Sequence, residues 1–362
     1  MSFNPIYPYD QLEILPPKDK TIENKNFFDI LLKARVELAE LKGYCGQIPN
    51  PLLLISPEIL RESIASSDIE NINTTLINVL QGQLFPEEER RAPDKEVLRY
   101  KEALLWGFEN IKKFGLSTRT ILGIQKKLIP DSFGQYRKSQ NQIINSRTKE
   151  ALYTPPSVEN IPRLINNWEN YVNTKSQEID PLICAAISHY QFESIHPFGD
   201  GNGRTGRILI VLQLVNNDIL SLPILYISGY INDNRSEYYR LLRDITIKDN
   251  WREYIEFMLN GFYLQAKETK ENLQKLIALF NETKSFIKTK HPKIYSNDLV
   301  EALFSYPIIS PTKLATLMDM HYTTTSKYLI ELANSQILKE SKIGRHHLYI
   351  NDKLIKIFDK NH

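Results

Sequence analysis

Side chains that handle phosphate and protons are concentrated in twelve residues, from His196 to Arg207. The stretch reads His-Pro-Phe-Gly-Asp-Gly-Asn-Gly-Arg-Thr-Gly-Arg. Glycine allows the main chain to take positive φ and to approach a ligand closely. Arg204 and Arg207 are three residues apart, so on a helix they share a face and can both bind phosphate oxygens. The sequence therefore predicts an anion-binding turn with a histidine beside it.

An acid lies next to this predicted anion site, where a bare carboxylate is unfavourable. A Mg²⁺ ion that bridges Asp200 to phosphate oxygens would remove the conflict. His196 has an unperturbed pKa near neutrality, which makes it the natural proton acceptor. We therefore expect a nucleotide polyphosphate on this loop with a base next to it.

Two helices must position these side chains. One helix-like run extends from Pro181 to Ser194, and a second extends from about Arg204 to Asn216. The start of the second helix offers unpaired N–H groups and the positive end of its dipole. The stretch is not a Walker A loop, because no Lys-Ser/Thr follows the glycines, and no strand-like run precedes it as a dinucleotide fingerprint requires. The alternative is a turn that merely joins two core helices.

The twelve residues resemble the signature of the Fic family, HPFx[D/E]GNGRxxR, and match it at every defined position. The resemblance implies a helical Fic core that transfers AMP from ATP, with Mg²⁺, to a Ser, Thr or Tyr hydroxyl of a target protein, which can be the enzyme itself. By this resemblance His196 would deprotonate the hydroxyl and Asp200 would hold the metal. The residues it implies for nucleotide binding on the loop are Gly201, Asn202, Gly203, Arg204 and Arg207.

A second segment, Ser66-Ser67-Asp68-Ile69-Glu70-Asn71, gains meaning beside this motif. Ser66 and Glu70 are four apart and share a helix face, which alone describes a solvated helical turn. The segment is similar to the inhibitory motif [S/T]xxxE[G/N] of many Fic proteins. By that analogy Glu70 would pair with Arg207 in the place of the ATP γ-phosphate, because a carboxylate on that arginine competes with phosphate. We therefore predict an autoinhibited enzyme.

Two further segments are compared with the family. A short β-hairpin is predicted from strand-like Ile143-Ile144, turn-like residues 145–149 and the prolines at 155 and 156. In Fic proteins a hairpin flap at this place clamps an extended target segment, and an ordinary surface hairpin is the alternative. The family also suggests that the region after the motif helix builds the adenine pocket. The residues assigned to it are Asn234, Tyr238 and Tyr239, and the two tyrosines could equally be helix-packing residues.

The last part of the chain, residues 291–362, predicts three helices followed by a basic hairpin with Gly344 at its tip, which resembles a winged helix-turn-helix. The hairpin carries Lys342, Arg345, His346 and His347, which could contact phosphate. Nine Lys and Arg stand against seven Asp and Glu in this segment, a net charge of only +2 and low for a DNA-binding domain. Nucleic-acid binding and a protein-interaction or dimerisation role both remain open.

Composition sets the remaining limits. The chain has 362 residues, a hydrophobic content of 42% and a net charge of +2, as in ordinary soluble globular proteins. Two cysteines suggest neither a disulfide framework nor a metal site, and no signal peptide or membrane span is evident. We expect a mostly α, cytoplasmic protein, with a homodimer as a family habit. The predicted domains are an N-terminal arm and inhibitory helix (1–95), a catalytic core (96–265), a linker helix (266–290) and a winged-helix-like domain (291–362).

The leading hypothesis is thus a protein adenylyltransferase inhibited by Glu70. The alternatives are an enzyme of the same fold that removes AMP or transfers another nucleotide or phosphate, and a non-enzymatic nucleotide-responsive DNA-binding regulator. A mere phosphate sensor needs no base, so His196 argues against the regulator. The sequence does not identify the target protein or the modified residue.

Overall fold

The computed structural model describes residues 3–19, 22–48, 50–144, 148–174, 178–343 and 346–359. The protein is mostly helical with two small antiparallel sheets, which confirms the predicted mostly α fold. Within these ranges, no helix combines the length and the apolar character that crossing a bilayer requires.

The helices of the first two thirds of the described chain follow one another with short connections. They are α1 (Phe28–Cys45), α2 (Pro51–Leu54), α3 (Ser56–Ile69), α4 (Leu76–Gly82), α5 (Ala92–Phe114), α6 (Thr118–Leu128), α7 (Ile161–Asn173), α8 (Pro181–Ile195), α9 (Asn202–Asn216), α10 (Ile227–Asp233) and α11 (Arg235–Lys248).

Two helices at the centre of the molecule, α8 and α9, pack against each other and are buried on nearly every side. A helix that is apolar all round belongs in a core, and α8 is apolar over most of its length. Asp180 caps α8, accepting from the N–H of Leu182 at 2.8 Å, and Pro181 opens the first turn. The motif loop, residues 196–201, is the short connection between these two helices, so both of its ends are fixed in the core.

The N-terminal part of the chain is integrated into this core. Helix α3 packs against α5, α9 and α10. The described part of the N-terminal arm, residues 3–19, buries Leu12 and Leu15, and the Leu15 N–H donates to Asn167 at 2.8 Å. The boundary predicted between residues 95 and 96 falls inside α5.

The segment predicted as a linker helix is continuous with the helix that precedes it. Residues 266–290 are the second half of α12 (Trp251–Lys290), a continuous helix of 40 residues. Helix α12 packs along α1 and buries Leu273, Leu276 and Phe280 against the core. Buried polar residues on the same face, Thr269 among them, interrupt the apolar pattern and gave the sequence its polar appearance.

The predicted hairpin is present as strands β1 (Ile143–Ile144) and β2 (Ala151–Tyr153), with Ile143 opposite Tyr153 and Ile144 opposite Ala151. Its predicted turn includes residues 145–147, which lie outside the described residues. The hydroxyl of Tyr153 donates to the Ser194 carbonyl at 2.9 Å, which places the hairpin beside the end of α8.

The C-terminal unit contains the three predicted helices and the hairpin, together with a short strand and a final helix that were not predicted. The elements are α13 (Asn297–Ser305), β3 (Ile308–Ile309), α14 (Pro311–Met318), α15 (Tyr322–Asn334), β4 (Lys339–Ile343), β5 (His346–Ile350) and α16 (Asp352–Phe358). The strand order is β3–β5–β4, all antiparallel. Gly344 and Arg345, the predicted tip and one predicted phosphate contact, lie outside the described residues. The unit docks on α12, where the rings of Phe280 and Phe304 are 5.1 Å apart.

Candidate active site

His196 ends α8 in a left-handed conformation (φ 49°), which turns the chain sharply into the motif loop. Its Nδ1 is 3.3 Å from the Glu193 carbonyl oxygen. A carbonyl can only accept, so this contact favours the tautomer with the proton on Nδ1 and leaves Nε2 as an acceptor. Burial lowers the pKa of His196 to about 4, and the imidazole is therefore neutral at physiological pH.

The motif loop is pinned by side chains that bond its main chain. The Asn202 amide accepts from the Phe198 N–H and donates to the Phe198 carbonyl, both at 2.8 Å. Asn141, from the segment before β1, donates to the same carbonyl at 3.2 Å. Arg137 donates to the His196 carbonyl at 3.0 Å. The side chain of Asn202, predicted to bind nucleotide, is thus occupied in shaping the loop, and its contribution to a ligand would be its main-chain N–H.

The turn into α9 is formed by Asp200 and Gly201. Gly201 has φ 76°, and its N–H donates to Asp200 Oδ1 at 2.6 Å. The Asp200 carbonyl accepts from Gln125 at 2.9 Å, while its carboxylate is 74% exposed. The first N–H groups of a helix have no acceptor within it, so the start of α9 presents N–H donors beside an open carboxylate.

Arg204 lies at the first turn of α9 with only 3% of its side chain exposed. It donates to Glu96 of α5 at 2.6 Å, and its other terminal nitrogen is 3.6 Å from Asp200 Oδ2. Its Nε is buried and makes no hydrogen bond within the described residues. Arg204 therefore keeps one buried donor that these contacts do not use.

Arg207 is fully buried and is bound by α3. Its Nε donates to Ser66 Oγ, and its Nη2 donates to the Ser66 carbonyl and to Glu70 Oε1, each at 2.8 Å. Burial alone would raise the pKa of Glu70, but the Arg207 guanidinium outweighs it and holds the pKa below its usual range. Glu70 is thus ionised at neutral pH and sits on the arginine as an anion.

Gly203 is required at this contact. A Cβ at this position would collide with the Glu70 carboxylate and would be 2.8 Å from Arg207 Nη1. The same close approach would be available to a phosphate that replaced the carboxylate. Glu70, Gly203 and Arg207 together define one anion position at the floor of the site.

The residues predicted for the adenine pocket lie on α11 and at its junction with α10. The Tyr238 ring is buried, and its hydroxyl is 2.8 Å from His189 Nε2 of α8, so it packs between helices. Tyr239 is partly exposed, and its pKa is raised to about 12 by burial, with Glu70 also raising it and Arg207 lowering it. Asn234 is exposed, and its amide donates to the Tyr230 carbonyl of α10 at 2.9 Å. The structure thus brings Tyr239 near the anion position, whereas the Asn234 amide is engaged within α10.

Three residues that hold the site were not found from the sequence. Glu96 pairs with Arg204 from 108 residues away, and Asn141 reaches the loop from the hairpin segment. Glu193, one turn before His196, lies against Gly206. Each is a single polar residue within an ordinary pattern, so no local signal in the sequence could have found it.

The site as a whole combines a neutral base and an exposed carboxylate on the motif loop with N–H donors and two buried arginines at the start of α9. Such a site can bind a polyphosphate and activate a hydroxyl next to it by positioning and charge neutralisation. In the present structure the Arg207 end is closed by Glu70.

Three family models match this chain. A model described as Fic/DOC family matches residues 115–214, and one described as Fic/DOC family N-terminal matches residues 28–109. A third, described as protein adenylyltransferase SoFic-like, C-terminal domain, matches residues 279–354. Together they cover most of the chain, including the motif loop, α3 and the C-terminal unit.

Individual proteins give the same result. The chain is 25% identical over 310 residues to a probable protein adenylyltransferase of Aquifex aeolicus, covering 83% of this chain and 85% of that protein. It is 28% identical over 187 residues to the protein adenylyltransferase Fic of Nematostella vectensis, covering 48% of this chain and 40% of the relative. Among solved structures, a Fic family protein from Desulfovibrio desulfuricans superposes with a TM-score of 0.55 at 20% identity, covering 90% of this chain and 96% of that one. The superposition supports the fold.

Proposed function

The chain belongs to the Fic/DOC family, and on this premise we propose that it transfers AMP from ATP to a hydroxyl of a target protein. The single observation that carries the proposal is that one short loop joins a neutral His196 at the end of α8 to the anion position at Gly203 and Arg207 of α9. Relatives named as protein adenylyltransferases support it.

His196 is the proposed catalytic base. Its Nε2 takes the proton of the target hydroxyl as the oxygen attacks the α-phosphorus, and pyrophosphate leaves. The Nδ1–H bond to the Glu193 carbonyl fixes the ring and supports the charge that develops on it. The negative charge of bound phosphates would raise the pKa of His196 from its low value in the free enzyme, which strengthens the base in the complex.

The phosphates are proposed to lie along the start of α9. The γ-phosphate takes the position of the Glu70 carboxylate on Arg207, and the N–H groups of residues 202–204 bind the preceding phosphate oxygens. Glu96 holds Arg204 beside the proposed row of phosphates, and the buried Nε of Arg204 has no hydrogen-bond partner among the described residues. A triphosphate seated in this way presents its α-phosphorus to His196.

Mg²⁺ is proposed to accompany the nucleotide at Asp200. Among the described residues, no group of three or more His, Cys, Asp or Glu side chains could hold a metal alone. Magnesium commonly takes one or two carboxylates and completes its shell with water and substrate phosphates, and the exposed Asp200 carboxylate fits that donor set. When bound, the ion would neutralise phosphate charge in the transition state.

Glu70 is proposed to inhibit the enzyme. The carboxylate and a γ-phosphate need the same arginine, so the two compete, and ATP binds productively only when α3 withdraws Glu70. Ser66 supports the inhibited state, because both its hydroxyl and its carbonyl accept from Arg207.

The test uses Glu70→Gly and Glu70→Gly/His196→Ala proteins incubated with cell lysate and ATP labelled at either the α- or the γ-phosphate. We expect the single variant to make covalent adducts that carry the α label only, with the mass of AMP on Ser, Thr or Tyr. The double variant is the matched control and should leave proteins unlabelled. Transfer of the γ label, or no covalent label from Glu70→Gly, would overturn the proposal.

The C-terminal unit stays a winged-helix-like domain by prediction, and its binding of nucleic acid stays a prediction as well. Of the four residues predicted to contact phosphate, His347 pairs with Glu340 at 2.8 Å and the His346 ring is 5.3 Å from that of Phe85. These contacts favour a protein-docking role over DNA. A salt-dependent mobility shift of random duplex DNA by the full-length protein would reverse that preference. The homodimer and the cytoplasmic location likewise remain predictions from the family.

A further inference from the structure

The helix that precedes the inhibitory glutamate is fixed in the core. Arg61 of α3 pairs with Glu58 at 3.1 Å and with Glu268 of α12 at 2.7 Å. Glu62, also buried, accepts from the Ser228 N–H of α10 at 2.9 Å. Buried ion pairs and hydrogen bonds are costly to break, so a release of the inhibitory contact by movement of the whole helix is unfavourable. A release that leaves α3 in place has to occur in the residues that follow it.

The chain leaves α3 through a hydrogen-bonded turn. The Ile72 N–H donates to the Ser67 carbonyl at 3.0 Å, and the Asn71 N–H donates to the Asp68 carbonyl at 2.9 Å, which are the two bonds of a Schellman motif. Asn71 has φ 62°, the left-handed conformation that glycine and asparagine adopt most readily at this position. Glu70 lies between the helix and Asn71, so the shape of the turn decides where its carboxylate points.

Two side chains from the α10–α11 junction hold this turn from outside. Arg235 Nη2 donates at 2.7 Å to the Asp68 carbonyl, the same acceptor that the Asn71 N–H uses, and Arg235 Nη1 donates to Asn71 Oδ1 at 3.4 Å. The Asn232 amide donates to Asp68 Oδ2 and accepts from Arg235 Nη2, both at 2.6 Å. Asn232 and Arg235 together form a clamp on the turn.

The clamp is less deeply buried than the helix it follows. The side chains of Arg235 and Asp68 are 31% and 38% exposed, whereas that of Arg61 in α3 is 6% exposed. Contacts that water can reach open at a lower free-energy cost than contacts in the core. Within the described residues, the side-chain hydrogen bonds of the clamp go to the turn and to each other, so they do not use the phosphate-binding groups of α9.

We propose that Asn232 and Arg235 are positioning residues for the inhibition. By holding the turn they keep the Glu70 carboxylate on Arg207, and Glu70 leaves that arginine when the clamp opens while α3 stays in place. This inference rests on the proposed function, in which the γ-phosphate of ATP competes with Glu70 for Arg207. A weaker clamp therefore favours the binding of ATP, but not of ADP, which has no γ-phosphate.

The test measures equilibrium binding of ATP and ADP, each with Mg²⁺, to the full chain carrying Arg235→Ala, with Glu70 present and with Glu70→Gly. We expect Arg235→Ala to tighten ATP binding about fivefold while Glu70 is present, because a hydrogen bond that holds the inhibited state is lost. ADP binding should not change, and neither should ATP binding in the Glu70→Gly protein. Arg240→Ala is the matched control and should change none of these affinities, because this arginine of α11 pairs with Glu237, Asp244 and Glu253.

The proposal is overturned if Arg235→Ala leaves ATP binding unchanged or weakens it, if it changes ATP and ADP binding by the same factor, or if its effect persists in the Glu70→Gly protein. If Arg235→Ala does not fold, Asn232→Ala decides by the same comparisons, because it removes the amide that joins Arg235 to the Asp68 carboxylate. Binding is measured without transfer. An effect of the clamp that depends on Glu70, in a protein that forms no AMP adduct, would therefore contradict the proposed function alone.

Discussion

The two ends of the motif loop are held in different ways. At the His196 end, Arg137, Asn141 and Asn202 bond the loop main chain, and all belong to the catalytic core or its hairpin. At the Arg207 end, the bonds come from Ser66 of α3 and from Glu70, which directly follows α3, and the Glu70 side chain is 35% exposed. One end is fastened by the fold itself, and the other is closed by a group that a ligand can replace.

This difference separates preorganisation from regulation. Main-chain bonds to the loop keep His196 in place whether or not a nucleotide is present, so the base needs no rearrangement at the moment of reaction. The Arg207–Glu70 bond is a charge-assisted contact that a phosphate can reproduce with the same arginine. If Glu70 inhibits as proposed, the enzyme is inactive although its catalytic end is complete, and activation requires only that the Glu70 side chain leave Arg207.

The largest effect is expected at the His196 end of the motif loop. In the Glu70→Gly background, His196→Ala should lower the rate of AMP transfer by about 10²- to 10⁴-fold, the usual contribution of a positioned general base. Binding of ATP should change little, because the phosphate contacts come from α9. Transfer is measured with α-labelled ATP and binding by titration. Parallel losses of binding and transfer would mean that His196 shapes the nucleotide site instead of serving as a base.

The second-largest effect is expected from Glu70, which closes the Arg207 end of the motif loop. Glu70→Gly should raise the transfer rate by about 10- to 100-fold, the range expected when a hydrogen bond to a charged group no longer competes with phosphate. Glu70→Gln should lie between it and the unmodified protein, because an amide still accepts from Arg207 without the charge. Initial rates at subsaturating ATP give the comparison. Equal rates for all three proteins would remove Glu70 from the inhibitory role.

The sequence predicted the residues at both ends of the motif loop, but not the side chains that hold the His196 end in place. The motif and the Ser66/Glu70 spacing are local patterns. The structure places Glu70 on Arg207, the pairing that the sequence predicted, and adds a contact of Ser66 with Arg207 that was not predicted. Glu96 and Asn141 contact residues 57 or more positions away, and each looks like an ordinary polar residue on its own element. Tertiary packing alone makes them functional, so no local pattern could reveal them.

The long helix α12 shows a related limit of local sequence patterns. Helix α12 buries Thr269 and Asn272 along with its leucines, and Thr269 donates to the buried Glu58 at 3.3 Å. A helix face that contains satisfied polar residues does not show a clean apolar period, and so residues 266–290 looked like a solvated linker. The structure shows that α1 and the C-terminal unit pack against helix α12.

A smaller effect should separate the two inhibitory contacts. Ser66→Ala removes the hydroxyl that accepts from Arg207 Nε but leaves Glu70 and the Ser66 carbonyl in place. The loss of one such bond is worth about 1 kcal/mol, so transfer should rise about fivefold. Ser63→Ala is the matched control, because its hydroxyl bonds the Ile59 carbonyl within α3 and does not touch the arginine. An equal rise in both variants would point to general loosening of α3.

The smallest effect concerns pH. It tests whether the imidazole of His196 is neutral in the enzyme without bound nucleotide. Burial holds the pKa of His196 at about 4, so protonation removes the base only as pH falls through that value. The kcat/KM of Glu70→Gly, which reports the free enzyme, should keep about nine tenths of its plateau at pH 5. A histidine with its ordinary pKa near 6.5 would retain only about 3% there. Glu70 raises the pKa of His196, so the removal of Glu70 should move the acid limb of the pH profile to still lower pH. An acid limb near pH 6.5 would instead show that the imidazole is solvated. The two ends of the loop would then not be held differently.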